Sequence, residues 1–156
     1  MTTDPHAMTT DELNREAASG VMGWTPLPGN WRGGGIWNHS VARPNGCSVT
    51  AMSMWSPATS IADAWELVEA IKPIAHRIEL SWSPDLGVSK TWKSRGKTYT
   101  GSPDLNPSPK PKYTCTVMLR SKEYPQCWSG SVSATHADKA RAITIAAIMA
   151  KREEKK

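Results

Sequence analysis

Residues 60–83 read SIADAWELVEAIKPIAHRIELSWS, and two hydrophobic periods meet inside this one stretch. Ile61, Ala64, Trp65, Val68 and Ile71 recur at helical spacing and form an apolar stripe. Ser60 can cap this helix, while Asp63, Glu66 and Glu69 favour its amino-terminal half through the helix dipole. Pro73 stops it. Beyond the proline the period becomes two: His76, Ile78, Leu80 and Trp82 alternate with Arg77, Glu79, Ser81 and Ser83. That is a strand with one buried face. On this reading Trp65 and Trp82 both point into the interior.

Outward from this unit, Thr9 and Glu12 stand at capping-box spacing, and Leu13, Ala17 and Val21 mark a short helix that Gly20 or Gly23 ends. From Trp24 to Pro57, prolines and glycines recur too often for a helix. Ile36-Trp37 and Cys47–Met52 read there as strands. Tyr113, Cys115, Val117 and Leu119 alternate with polar residues, as do Trp128, Gly130 and Val132. With no room for a crossover helix, these two segments pair as an antiparallel hairpin. Thr135 and Asp138 resemble a capping box for a last helix running to about Arg152. Its apolar surface (Ala140, Ile143, Ala147 and Ile148 beside Ala142, Ile145, Ala146 and Met149) is broad enough to lie on a sheet.

The expected fold class is therefore α+β, a mostly antiparallel sheet of three to five strands covered by three helices. The chain of 156 residues reads as one domain. Residues 1–9 read as a flexible start and 151–156 as a charged tail. Between them, 84–112 is a long basic, proline-rich loop or insertion, with a short ribbon around 90–99.

Composition narrows the function. No run approaches the ~20 apolar residues that cross a bilayer, and the amino terminus lacks the basic start and apolar stretch of a secretory signal. Three cysteines, an odd number without close pairing, fit free thiols in a reducing cytoplasm. Eight tryptophans and no phenylalanine make the aromatic surface almost wholly indole. The formal charge of +5 favours anionic partners.

Several ordered motifs resemble the phage ABA sandwich domain family: Leu13-Asn14-Arg15-Glu16, Val21-Met22-Gly23-Trp24, Ser60 to Glu69, and Ala137-Asp138-Lys139-Ala140-Arg141-Ala142-Ile143. The resemblance spans about residues 11 to 150. It departs at Ile61-Ala62, where the family tends to have Thr-Asp, at Thr144, where Cys is usual, and in the longer 84–112 loop. It implies an alpha-beta-alpha sandwich encoded by a phage or prophage and working in the host cell cytoplasm. It implies no reaction.

Known catalytic patterns are not met. Arg95-Gly96-Lys97-Thr98 ends like a phosphate-binding loop, but Thr91 stands where that loop needs glycine. Cys115 and Cys127 lie too far apart for a zinc site. His39, His76 and His136 join no acid–base constellation. No catalytic residue, metal or cofactor is assigned.

The sharper pattern is aromatic and basic. Trp31-Arg32-Gly33-Gly34-Gly35-Ile36-Trp37 sets an arginine between two indoles in a glycine-rich loop, and Trp92-Lys93-Ser94-Arg95 repeats the combination. Guanidinium groups grip phosphate and indoles stack on bases. The expected ligand-binding residues are Trp24, Trp31, Arg32, Trp37, Trp92, Lys93 and Arg95. Their expected partner is a small anionic, nucleotide-like ligand, held without turnover to inhibit host defence and shared across a homo-oligomer. The rivals are nucleic acid along an open groove, or a host protein against a Trp-rich patch.

Overall fold

The structure, a computed structural model, describes residues 3–31, 34–38, 49–84, 90–94, 97–101 and 111–156; at 28–31, 34, 83–84, 90–94, 97–101 and 111 it describes the backbone alone. The class is α+β with antiparallel strands. Helix α1 (Thr10–Glu16) opens with the expected capping box. The Thr9 backbone N–H donates to Glu12 Oε2 at 2.7 Å and the Glu12 N–H to Thr9 Oγ1 at 3.3 Å. A π-helical turn (Ala17–Val21) follows. Gly23 then turns left-handed at φ 69°, and the Trp24 N–H reaches back to the Ala18 carbonyl at 2.9 Å. That closure wants glycine because a side chain strains a positive φ. It sends Trp24 back into the protein.

Strands β1 (Thr25–Trp31), β2 (Gly34–Asn38) and β3 (Val49–Ala51) form one three-stranded sheet in that order. Among the described strands β1 lies at the sheet edge, where Pro26 and Pro28 are tolerated because an outward-facing N–H joins no ladder. The expected strand over 47–52 is described from Val49 onward; Cys47 and Ser48 lie outside the described residues.

Helix α2 (Ile61–Ile71) starts at Ser60, whose Oγ accepts the Asp63 N–H at 3.3 Å. Strand β4 (Ala75–Pro84) follows, then a ribbon of β5 (Lys90–Ser94) and β6 (Lys97–Gly101), then β7 (Pro111–Arg120) and β8 (Trp128–His136). Helix α3 (Lys139–Glu154) closes the chain. Its N-cap is Asp138, which accepts the Arg141 N–H at 3.1 Å. Thr135, expected as that cap, instead pairs with Thr114 inside β8.

The expected single sheet is divided: β1-β2-β3, the β5-β6 ribbon and a second three-stranded sheet ordered β4-β7-β8. The register of the last gives its two faces different chemistry. Ile78–Val117–Val132 and Leu80–Cys115–Ala134 line up on the apolar face. Ser81–Thr114–Thr135 and Glu79–Thr116–Ser133 line up on the other, where Thr116 and Ser133 hydroxyls lie 2.8 Å apart. Helix α3 lies across β7 and β8 and packs against α2. Small residues Ala142, Ala146, Ala147 and Ala150, all buried, allow that close approach.

Candidate functional site

The connection from Trp55 to Ser60 is the structural knot of the molecule. Trp55 is fully buried. Its Nε1–H donates to Glu66 Oε2 at 3.0 Å, and its ring centroid lies 4.6 Å from that of Trp24 at 53°. The Ser56 N–H donates to Asp63 Oδ2 at 2.9 Å, and Asn14 bridges from α1, giving to Ser56 Oγ and accepting from the Ala58 N–H. From α3, the buried Thr144 hydroxyl reaches the Pro57 carbonyl at 2.8 Å. Asp63 and Glu66 are thus more than a solvated acidic face: each accepts a hydrogen bond from this connection.

This knot corrects part of the expected binding set. Trp24 and Trp37 are 5% and 4% exposed and belong to the core. Their ring faces meet protein, so neither indole is open to stack on a ligand. Trp31, Trp92 and Lys93 are described in backbone only, within β1 and β5, and Arg32 and Arg95 lie outside the described residues.

Two indoles read as interior are exposed, Trp65 at 45% and Trp82 at 61%, as is Trp128 at 59%. The buried line of α2 is Ala64, Leu67, Val68 and Ile71. Trp65 follows Ala64 by one residue, about 100° around the helix, and so sits on the flank of that line. Trp82 lies near the end of β4, the strand farthest from the cover of α3.

Between α2 and β4 this leaves a groove of about 330 Å³, lined by Trp65, Val68, Lys72, Ala75, His76, Arg77, Ile78 and Leu80. Its floor is aliphatic, one wall is an indole, and Lys72, His76 and Arg77 border it. Lys72 and Arg77 are held by Glu69 and Glu79 at 2.6 and 2.7 Å, but both pairs are exposed. Such pairs contribute about 0–1 kcal/mol, so an arriving phosphate can take over the cations at little cost. A larger hollow of about 460 Å³ lies by Ile74, Leu119, Arg120 and Lys122, but the carboxylates of Glu123, Glu153 and Glu154 outnumber its two cations and none of its lining residues is aromatic. Three carboxylates suit an anion poorly.

Among the described residues no cluster of His, Cys, Asp and Glu could hold a metal ion, and no helix is long and apolar enough to cross a membrane. The two described cysteines differ sharply. Cys115 is buried in β7, and burial pushes its thiol up to about 11, whereas Cys127 is exposed. The thiolate is the nucleophile. At neutral pH a maleimide therefore labels Cys127 of the native Cys47→Ser protein and spares Cys115, as peptide mass spectrometry reads. The raised thiol also sets a pH window. The folded state keeps its proton to about 11 against an ordinary 9, so its contribution is complete below about pH 9 and is lost as pH climbs towards 11. Urea unfolding at about pH 8 and about pH 10 should show a decline that is smaller in Cys115→Ala.

No family model matches the chain, and no curated protein or solved structure matches it either.

Proposed function

We propose that this chain is a non-enzymatic binding protein that captures a small anionic, nucleotide-like ligand in the groove between α2 and β4. One observation carries the reading: the half-exposed Trp65 indole shares an aliphatic groove with Lys72, His76 and Arg77. An indole offers a face to a base, and Arg77 and Lys72 offer charge-assisted hydrogen bonds to phosphate. The volume lies at the lower end of ligand pockets, suited to one small molecule. On this reading the site lies away from the 24–37 connection, where Trp24 and Trp37 are buried. The resemblance to the phage sandwich family supports the finer reading, a phage-encoded protein that sequesters a nucleotide signal of host defence in the host cytoplasm.

The test is capture. The protein is incubated with a mixture of ribonucleotides and cyclic dinucleotides, washed, denatured, and the released species weighed. One intact species should be enriched, and Trp65→Ala or Arg77→Gln should weaken its binding about tenfold or more, since base–indole stacking alone is worth about 1–3 kcal/mol. Enrichment of nothing overturns the reading, and recovery of cleaved nucleotide overturns its non-enzymatic part. Retention of oligonucleotides with a steep loss in salt would instead favour the nucleic-acid rival.

A further inference from the structure

We propose that two copies of this chain join edge to edge along β4, around a twofold axis at Leu80, so that the partner's Trp82 becomes the second wall of the Trp65 groove. β4 is an outer strand, with β7 as its neighbour among the described strands. Alternate N–H and C=O groups along it point away from β7 and form a template for another strand. Two features fence that template. His76 is an extra residue between the Ala75–Leu119 and Arg77–Met118 pairs, and Pro84 ends the strand. A bulge bends the edge and a proline brings no donor, so an added strand pairs regularly along 77–83 alone.

That window is centred on Leu80, and it is complementary to itself. Laid antiparallel to its own copy over its full length, it sets Leu80 against the partner's Leu80 and Ile78 against the partner's Trp82. On the polar face Glu79 meets the partner's Ser81, and Arg77 meets the partner's Ser83. Apolar residues face apolar residues, and Arg77 and Glu79 each stand opposite a serine position. An axis at Glu79 would set carboxylate against carboxylate, and one at Arg77 guanidinium against guanidinium; like charges directly opposite destabilise a sheet. An axis at Ile78 would run the ladder into the bulge. The Leu80 axis also covers Trp82, an indole 61% exposed in the single chain.

Ile78 lines the groove. A partner's Trp82 seated on Ile78 therefore stands beside the site, and a groove with one indole becomes a site with two, one from each subunit. This second consequence rests on the ligand reading above; the pairing of β4 does not.

Ser81 provides a test that leaves the core untouched, because it lies exposed on the polar face. Sedimentation equilibrium of the full chain should give twice its 17.1 kDa mass at micromolar concentration. Ser81→Glu sets a carboxylate against the partner's Glu79 on each side of the axis and should yield monomer, Ser81→Lys should remain dimeric, and Glu79→Lys combined with Ser81→Glu should restore the dimer. A wild-type monomer at every concentration, or a dimer indifferent to Ser81→Glu, overturns the pairing. Capture of nucleotides by a monomer would remove the pairing and leave the ligand reading, whereas a charge-sensitive dimer that retains no nucleotide would do the reverse. With both correct, Ser81→Glu loses dimer and capture together, while Trp65→Ala loses capture and stays dimeric.

Discussion

Trp55→Ala is expected to lower the unfolding free energy by about 3–5 kcal/mol, the range for emptying a core site of a large aromatic side chain. A domain of this size is stable by about 5–15 kcal/mol in all, so the variant sits near the edge of folding. Three losses add up. The ring is fully buried, its departure strips one face of Trp24, and Glu66 is left without the indole N–H that it accepts at 3.0 Å. Urea unfolding followed by far-ultraviolet circular dichroism measures this. Trp65→Ala serves as the contrast, because a half-exposed indole removed from a groove wall should change stability by well under half as much. Equal losses in the two variants would contradict the assignment of Trp55 to the core and Trp65 to the surface.

The second large effect is expected from a change of almost no volume. Thr144→Val keeps the shape of the side chain and removes its hydroxyl, which lies 2.8 Å from the Pro57 carbonyl and 2.9 Å from that of Ala140. One hydroxyl hydrogen serves these two acceptors. The Ala140 carbonyl keeps its place in the ladder of α3, whereas Pro57, buried in the 55–60 connection, loses a donor from the helix that holds it. Leaving such a group unsatisfied costs about 1–3 kcal/mol. Thr144→Ser keeps the hydroxyl and should recover most of the loss. A Val variant as stable as the parent would mean that the hydroxyl binds its own helix and does not tie α3 to the connection.

Local pattern carried most of the fold. The period change around Pro73 marks the boundary between α2 and β4, and the Thr9–Glu12 spacing gives the cap of α1. The hairpin of β7 and β8 is likewise written in alternation. What failed was which side of an element meets water. A helical stripe read from sequence includes its flanks, so Trp65 reads as interior, whereas the buried line of α2 runs through Ala64, Leu67, Val68 and Ile71. Trp82 has the parity of a buried residue, yet it sits near the end of an edge strand, and edge position is a property of the sheet order. The knot at 55–60 joins residues 42 and 87 positions apart, through Asn14 with Ser56 and Thr144 with Pro57, and no short motif announces such contacts. The glycine-rich Trp-Arg segment looked like a ligand loop because its residue types suit one; for Trp37 at least, the indole went to packing.

The indole N–H region of a nitrogen–proton correlation spectrum tests the central claim most directly, since each of the eight tryptophans contributes one signal. With signals assigned from single Trp→Phe variants, the protein is titrated with the nucleotide mixture used for capture. The account predicts that the Trp65 signal moves while those of Trp24, Trp37 and Trp55 stay in place. Unmoved Trp65 beside shifted Trp31 or Trp92 would return the site to the two loops, and no movement in any of the eight would contradict binding altogether.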